Sequence, residues 1–517
     1  MSVLVSVVIP VFNAAPYLDE CLRSIAGQSF KSIEIIIIND GSTDNSEEVI
    51  KKYSSSDSRI KYFSQDNHGL GYTRNRGISL TEGQYIFFLD SDDTIPRNAI
   101  QKLVEAASKE EADYSAGKVL RFNKERKYVP IRHLEFKLYK KSETTTVSQN
   151  PEMLQDSIAC NKLWKKDFLV KNELSFTEGK LYEDLALTLK AAVLANKIAV
   201  IDDVVYHWRV REEEGQPSIT QEQMKLHNTL DRLHALQSNR LWLRQAGVRD
   251  RVMEENDLKS LLDVLRLHVI KYAQIEESEK QEWQNRILGF LKEIPDRVAD
   301  RLPKKEKNLY DLLISGNFTD LALFSKMYTN TETVPIVLQK DNEFILKGTK
   351  AAYNVTGDLK PIMIVRDIKE KADEWVMTGE ITIPKASSQI IGEFYGLTRI
   401  SKEFVKTSMT MKSSAESALY PYEKQSFKVS INPALFCTSS AEPVFDFYYR
   451  LSGDDTLHKP ARVRLASNLK MPLQFKAARK VITLYRTNYG NLSIRIENFS
   501  LAKNAFRLIS RYVSSGR

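Results

Sequence analysis

A short uncharged run that ends in three acids decides how this chain is interpreted: Gln84-Tyr85-Ile86-Phe87-Phe88-Leu89-Asp90-Ser91-Asp92-Asp93. The apolar and aromatic residues before Asp90 predict a buried strand. Three carboxylates within four positions repel one another, which favours a hard divalent cation such as Mn²⁺ or Mg²⁺ beside them. The alternative is a helix N-cap, because Asp92 or Asp93 followed by Thr94-Ile95-Pro96 also suits the start of a helix.

Short β-forming runs alternate with helical runs before this stretch. Strands are predicted at 4–10, 33–38, 59–63 and 85–89, and helices at 15–26, 46–53 and 72–80. The alternation predicts an α/β fold with a doubly wound, mostly parallel sheet. Because ligands bind beyond the carboxyl ends of the strands in such sheets, one crevice is expected to collect the residues that follow them. These are Pro10, Asp40, Asn67 and residues 90–93.

The pattern of the remaining chain changes twice. From residue 221 to 330 the apolar spacing is helical, and proline and glycine divide the region into short helices. From residue 331 the period changes to two between turn residues, which indicates a β-sandwich. We therefore predict three segments: an α/β domain at 1–220, a helical linker or bundle at 221–330 and a C-terminal β-sandwich domain at 331–517.

Charge and cysteine content narrow the classes of partner. The net charge of +8 and the pI near 9.0 favour anionic partners, and residues 470–517 are the most one-sidedly basic part of the chain. Cys21, Cys160 and Cys437 are far apart and form no CxxC motif, so we expect a reducing cytosol and neither a disulfide framework nor a zinc site. No basic leader opens the sequence and no apolar run approaches the roughly 20 residues of a membrane span.

Four motifs, in their order and spacing, resemble glycosyltransferase family 2, the inverting sugar transferases of the GT-A fold. They are Val8-Ile9-Pro10-Val11-Phe12-Asn13, Asn39-Asp40-Gly41-Ser42-Thr43-Asp44, Asn67 through Arg74 to Gly77, and Phe88-Leu89-Asp90-Ser91-Asp92-Asp93. Further along, Cys160 to Trp164, Glu183-Asp184 and Arg211 to Ser218 resemble the branch that decorates or builds wall teichoic acids in Gram-positive bacteria. The QxxRW motif of processive members is absent, which favours transfer of single sugars.

The resemblance implies that Asp40 accepts a hydrogen bond from N3–H of uracil, while Pro10 and Asn67 line the base and ribose. The alternative for Asp40 is an Asx-type turn into Gly41.

The resemblance also implies which groups meet the diphosphate. Either Arg74 or Arg76 would approach it, since a planar guanidinium suits phosphate oxygens, and the other arginine would lie on a solvated helix face. Arg211 and Ser218 would close over it from a later loop.

Catalysis, by the same resemblance, falls to the acids. Asp90 with Ser91 would contact the ribose or sugar, and Asp92 would ligate the Mn²⁺ or Mg²⁺ that assists departure of the nucleoside diphosphate. Asp184 would be the base for the acceptor hydroxyl, with Glu183 positioning it. Alternatively, Glu183 and Asp184 are only favourable charges in the first turn of a helix.

The implied function is inverting, metal-dependent transfer of one sugar, N-acetylglucosamine by resemblance, from a UDP-sugar to hydroxyls of a polyol-phosphate polymer. The C-terminal domain would bind acceptor or form a homo-oligomer, in the cytoplasm or peripherally at the inner face of the membrane. Two alternatives stay open: a transferase that makes a capsular or lipid-linked oligosaccharide, and a non-catalytic polymer-binding protein. Nucleic acid is not an expected partner, because aromatic residues are not interleaved with the basic ones.

Overall fold

A computed structural model describes residues 4–123, 127–211, 222–329 and, with short gaps, 334–498. The gaps are 339–343, 360–361, 372, 385–390, 400, 414–421, 440–442, 454–455, 458–459, 467, 478–479 and 488–489. The described residues form two compact units, one of 4–123 with 129–325 and one of 127–128 with 326–498. The first unit combines the predicted α/β segment with most of the predicted helical segment, and the division into three segments stays a prediction.

Strands and helices alternate strictly from residue 5 to residue 122, which confirms the alternation predicted for the first 90 residues, and less regularly from there to residue 209. The strands are β1 (Val5–Val11), β2 (Ile33–Asp40), β3 (Ile60–Gln65), β4 (Tyr85–Phe88), β5 (Tyr114–Phe122), β6 (Lys127–Tyr128), β7 (Glu143–Thr145), β8 (Lys162–Lys165) and β9 (Ile198–Arg209). The helices are α1 (Ala15–Ala26), α2 (Ser46–Ser54), α3 (Leu70–Leu80), α4 (Ala99–Glu110), α5 (Ile131–Glu135), α6 (Lys166–Lys171) and α7 (Asp184–Leu194).

The central sheet of the first unit explains why the candidate site residues can meet. Its strands follow the order β3-β2-β1-β4-β8-β5-β9-β7, and β1 is parallel to both β2 and β4. Every residue of β1 and β2 is buried, which accounts for their almost unbroken apolar sequence, since helices cover both faces of a parallel sheet. Parallel strands end at the same edge, so Asp40 at the end of β2 and Asp90 after β4 open onto one crevice.

One close approach fixes α3 against this sheet. Gly77 lies directly over Val8 of β1, where a Cβ would collide with a valine methyl. The missing side chain therefore lets α3 dock closely, with Arg74 facing inward and buried.

Helices fill the chain from 226 to 329. They are α8 (Leu226–Gln245), α9 (Asp250–Leu267), α10 (Glu277–Leu291), α11 (Asp296–Ala299), α12 (Lys304–Ile314) and α13 (Phe318–Thr329). The predicted apolar stripes are present, and Leu233 and Leu261 are buried. Buried charges accompany them, because Arg240 on α8 pairs with Asp257 on α9 at 2.8 Å. Within the described residues, no helix is both long and apolar enough to cross a membrane.

The second unit is rich in β-strands, as the period of two predicts. Its elements are β10 (Ile336–Leu338), β11 (Phe344–Lys347), β12 (Ala352–Asn354), β13 (Ile362–Lys371), β14 (Glu374–Pro384), β15 (Ile391–Thr398), β16 (Phe404–Ser413), β17 (Tyr422–Ile431), α14 (Leu435–Ser439), β18 (Val444–Gly453), β19 (Thr456–Leu457), β20 (Ala461–Arg462), β21 (Arg464–Leu465), β22 (Leu473–Ala477), β23 (Lys480–Arg486) and β24 (Leu492–Asn498). β10, β11 and β12 form a small sheet, and the long strands pair in the order β21-β13-β14-β17-β16-β15-β18-β24-β23-β22 around a core that includes Trp375 and Phe447. The sandwich arrangement stays a prediction.

Candidate active site

Asp40 holds the loop that follows β3. Its Oδ1 accepts hydrogen bonds from Gln65 Nε2 at 2.6 Å and from the backbone N–H of His68 at 2.9 Å, and its Oδ2 accepts from the backbone N–H of Gly69 at 2.9 Å. The side chain that bonds the local turn is Asn39, whose Oδ1 accepts from the N–H of Ser42 at 3.0 Å. The Asx-turn alternative therefore applies to Asn39 and is wrong for Asp40.

The other two residues predicted to line the base lie beside this loop. Pro10 is buried in β1, opposite Ile38 of β2. Asn67 is exposed, and its backbone N–H lies close to Gly41, which adopts a φ of +73°. A side chain at Gly41 would collide with that N–H, so the glycine lets the two loops meet.

Arg74 joins three elements of the site. Its Nη2 donates to Asp90 Oδ1 at 2.6 Å after β4, and its Nη1 donates to Glu183 Oε1 at the start of α7. Its guanidinium carbon lies 5.0 Å from the centroid of the Phe176 ring. Arg74 is only 3% exposed, and although burial opposes its charge, the acids around it raise its pKa well above the usual range.

Arg76 lies on the other side of the same helix. Its Nη1 donates to Gln65 Oε1, and its guanidinium carbon lies 5.9 Å from the ring centroid of Phe63. Gln65 in turn donates to Asp40. Arg74 thus belongs to the acidic side of the crevice and Arg76 to the Asp40 side.

The acids after β4 take different partners. Asp92 Oδ2 accepts from Arg211 Nε at 2.8 Å, and Asp93 accepts from the hydroxyl of Tyr206 at 2.7 Å and from the backbone N–H of Arg209 at 2.6 Å. The N-cap alternative is wrong for both acids, because α4 begins only at Ala99 and has no side-chain cap.

Asp93 is a site residue that the sequence reasoning left without a role. It is 2% exposed and ties the end of β4 to β9. Burial, followed by the charges of Asp92 and Asp90, raises its pKa well above the usual range. One signal in the sequence could have pointed to this contact. The apolar start of β9 is followed, near the end of the strand, by a hydroxyl residue, Tyr206, and a basic residue, Arg209.

The donor set after β4 fits a hard divalent cation that a substrate completes. Within the described residues, no three His, Cys, Asp or Glu side chains come together to hold an ion. Mg²⁺ and similar ions are commonly bound by one or two carboxylates plus phosphate oxygens of the substrate, so the protein need not supply three ligands. Burial raises the pKa of Asp92 although Arg211 partly offsets it, so further positive charge would stabilise its carboxylate. The assignment of Asp92 as a metal ligand stays a prediction.

Arg211 closes the described part of the site. Its guanidinium carbon lies 5.1 Å from the centroid of the Tyr17 ring, and Nη2 is 2.7 Å from Asp92 Oδ2. Ser91 is buried next to these acids. Ser218 lies outside the described residues.

Glu183 and Asp184 stand at the start of α7. Glu183 is buried and accepts from Arg74, whereas Asp184 is half-buried and its carboxylate makes no hydrogen bond within the described residues. Burial, followed by the nearby charge of Glu183, raises the pKa of Asp184 to about 7, and Arg74 is one of the cations that oppose the shift. A carboxylate whose pKa is near neutral and whose oxygens are not engaged can act as a general base. It also lies in the first helical turn, so the helix-charge interpretation applies alongside.

Comparisons with known proteins show which family the chain belongs to. Residues 6–170 match the model of glycosyl transferase family 2. Glycosyltransferase GlyG of Streptococcus pneumoniae is 33% identical over 219 residues, which are 41% of this chain and 72% of GlyG. The chain belongs to glycosyl transferase family 2. Glycosyltransferase GlyA of the same species is 34% identical over 213 residues, but the match spans only 31% of GlyA. The predicted enzyme class, a glycosyltransferase, is confirmed.

Two further relatives are named for a polymer acceptor. The poly(ribitol-phosphate) β-N-acetylglucosaminyltransferase TarS of Staphylococcus aureus is 24% identical over 297 residues, 57% of this chain and 50% of TarS. The poly(ribitol-phosphate) β-glucosyltransferase of Bacillus spizizenii is 29% identical over 226 residues, 42% of this chain and 33% of that protein.

Solved structures of TarS share the fold. The crystal structure of S. aureus TarS covers 97% of this chain and 86% of its own, with a TM-score of 0.52 and 17% identity. TarS 1–349 in complex with UDP-GlcNAc gives a TM-score of 0.51 at 20% identity and covers 68% of this chain and 98% of its own. At these identities the likeness shows the fold alone, and the predicted GT-A-like α/β domain is confirmed.

Proposed function

We propose that this family 2 glycosyltransferase transfers a single sugar, N-acetylglucosamine before others, from a UDP-sugar to a hydroxyl of a polyol-phosphate polymer such as wall teichoic acid, with inversion. The observation that carries the proposal is the pair of contacts of Arg74. They join Asp90, after the acidic strand, to Glu183, beside an Asp184 whose pKa is about 7. The names of two relatives that act on poly(ribitol-phosphate) support the acceptor.

Asp184 is the base of the proposed reaction. Its carboxylate takes the proton of the acceptor hydroxyl while that oxygen forms a bond to the anomeric carbon, and the bond from this carbon to the diphosphate oxygen breaks. A single displacement of this kind inverts the anomeric configuration. Glu183, which accepts a hydrogen bond from Arg74, lies beside Asp184, and its charge helps to hold the pKa of Asp184 near the pH at which a base must work.

The leaving diphosphate is the proposed partner of the acidic strand end. Asp92 would hold Mn²⁺ or Mg²⁺, which supplies Lewis-acid stabilisation of the leaving group when bound. Arg211 adds positive charge from the opposite side of Asp92, with Ser218 as its proposed neighbour, and Asp90 with Ser91 contacts the sugar or ribose.

The pocket for the uracil base is proposed around Asp40. An ionised carboxylate has about four acceptor positions, and Gln65, His68 and Gly69 use three of them. The remaining position suits N3–H of uracil. Arg76 stabilises this pocket through Gln65. Arg74 instead acts beside Asp90 and Glu183, away from the uracil base.

The second unit is proposed to bind acceptor, to form oligomers, or both. Between 470 and 498 the described basic side chains outnumber the acidic ones, with Glu497 as the acidic residue. A basic segment of this kind would attract a polymer of repeated phosphates and raise the local concentration of acceptor hydroxyls.

A matrix of donors and acceptors tests the proposal. Purified protein with Mn²⁺ is given UDP-N-acetylglucosamine, UDP-glucose or UDP-galactose, each with poly(ribitol phosphate), poly(glycerol phosphate) or a lipid-linked oligosaccharide. We expect sugar incorporation into a polyol-phosphate polymer, highest with UDP-N-acetylglucosamine, and a β-linkage from an α-linked donor. Transfer only to the lipid-linked acceptor would replace the proposed acceptor, and release of UDP from no donor would refute the enzyme mechanism.

A further inference from the structure

The residue before the Glu183-Asp184 pair has a backbone conformation that side chains disfavour. Tyr182 adopts a φ of +65° although it carries a large side chain, and it is buried. Left-handed backbone is unfavourable for such residues because Cβ approaches the carbonyl oxygen, so it persists where surrounding contacts hold it. The conformation of Tyr182 sets the direction in which the chain enters α7, and hence where Asp184 stands.

Those contacts come from one face of α8. The Tyr182 hydroxyl donates to Asn228 Oδ1, and the guanidinium carbon of Arg232 lies 3.4 Å from the centroid of the Tyr182 ring. Asp231 accepts from Lys180 Nζ at 2.9 Å and from the backbone N–H of Leu181 at 3.2 Å. We call Asn228, Asp231 and Arg232 the α8 clamp. Residues three and four apart share a helix face, so one helix can hold three consecutive residues of the segment at once.

Arg232 also belongs to the charge environment of Asp184. Glu183 raises the pKa of Asp184, whereas Arg74, Arg232 and Lys259 lower it. Asp263 on α9 partly neutralises the cations behind Arg232, because it pairs with Lys259 at 2.6 Å and with Arg232 at 3.6 Å.

Two further groups stand around this cluster. Arg132 on α5 also pairs with Asp263, at 2.8 Å. Burial lowers the pKa of His268 to about 3, so this imidazole near Tyr182 and Arg232 is neutral and adds no charge.

We propose that the α8 clamp positions the general base, Asp184. Its residues fix Tyr182 in the left-handed conformation, and Arg232 places a positive charge near Asp184. The helical segment would thus contribute to the transfer reaction. The proposal rests on the proposed role of Asp184 as base. The clamp residues touch no reacting atom, so they are positioning residues.

The test compares two buried arginines of α8 in the full-length protein. Arg232→Met removes the stacking group and its charge, and Arg240→Met is the matched control, because Arg240 is equally buried on the same helix and pairs with Asp257 instead. We expect Arg232→Met to lower kcat by about 10- to 100-fold, the scale of a misplaced catalytic group, with the KM for UDP-sugar nearly unchanged. Arg240→Met should affect thermal stability but leave kcat near wild type.

The pH profile separates positioning from general stability. Arg232 lowers the pKa of Asp184, so its removal raises that pKa, and the base stays protonated to higher pH. The acid limb of kcat should therefore move upward by about half a pH unit in Arg232→Met. Arg232→Lys keeps the charge and should restore the limb while recovering only part of kcat, since lysine cannot stack in the same plane.

Several outcomes would overturn the proposal. Equal losses of kcat in Arg232→Met and Arg240→Met, with unmoved acid limbs, would make Arg232 a structural residue even if Asp184→Asn is inactive. If Asp184→Asn keeps full kcat, the base assignment itself fails, which is a separate result. Should Arg232→Met not fold, Tyr182→Phe and Asp231→Asn decide together. The first removes the hydroxyl that donates to Asn228, the second weakens the hold on Lys180 and Leu181, and an unchanged kcat in both variants refutes the clamp.

Discussion

Asp93 and Asp184 are both acids whose pKa is raised by burial, yet their carboxylates have different surroundings. Asp93 is enclosed after β4 and uses both oxygens, accepting from Tyr206 and from the backbone of Arg209. Asp184 is half-buried, and its carboxylate makes no hydrogen bond within the described residues. A raised pKa therefore marks a reactive carboxylate only where the oxygens stay available to a substrate.

The largest effect is expected at Asp92, which shares the strand end with Asp93. Asp92→Ala should abolish sugar transfer, because the proposed cation, which would neutralise the leaving diphosphate, would lose its protein ligand. EDTA should abolish sugar transfer by the wild-type protein, and added Mn²⁺ should restore this activity. Transfer is measured as incorporation of labelled sugar, and full activity in EDTA would show that no metal is required.

Asp184→Asn should lower kcat by about 10²- to 10⁴-fold while the affinity for UDP-sugar stays near normal, because the amide keeps the shape but accepts no proton. In the wild type, kcat should fall as pH drops below about 7, where Asp184 becomes protonated. Stopped assays from about pH 5 to pH 8, the range in which most proteins are most stable, measure both quantities.

Asp167→Asn is the control for this substitution. Asp167 is an exposed acid in the first turn of α6, so its loss tests the helix-charge interpretation alone. If both variants lower kcat equally, Asp184 contributes only to helix stability. A loss of UDP-sugar binding with normal turnover would instead make Asp184 a donor-site residue.

Asp93→Ala should act chiefly on stability. It leaves the hydroxyl of Tyr206 and the N–H of Arg209 without their acceptor, which costs about 1–3 kcal/mol for each buried group left unpaired. Urea unfolding should give a lower free energy of unfolding for Asp93→Ala and a nearly unchanged one for Asp184→Ala. The reverse ranking would contradict the division of roles between the two acids.

The smallest effect concerns the second unit. A chain ending at Thr329 keeps every described residue assigned to chemistry, so we expect UDP-sugar hydrolysis and transfer to short acceptors near wild type. Transfer to long polymer should fall several-fold as local acceptor concentration is lost. Equal treatment of long and short acceptors by the shortened chain, together with polymer binding by the full chain that does not weaken with salt, would remove the recruitment role.

Local pattern determined much of this protein. The run from Tyr85 to Asp93 predicted a buried strand that ends in acid, and the alternating strands predicted a parallel sheet that collects Asp40 and Asp90 at one edge. These predictions succeed because apolar periodicity and strand order depend on neighbours in the sequence. The change of period at residue 331 indicated the β-rich region for the same reason.

Tertiary structure decided the roles of individual side chains. Arg74 and Arg76 are two positions apart on α3, and only the close packing over Val8 decides that Arg74 faces the acids. The near-neutral pKa of Asp184 depends on burial and on the charges of distant residues such as Arg74 and Lys259. No short stretch of sequence contains these residues together. Likewise, the α8 clamp reaches Tyr182 from about 50 residues away, a separation at which contact follows from the packing of whole helices and not from sequence pattern.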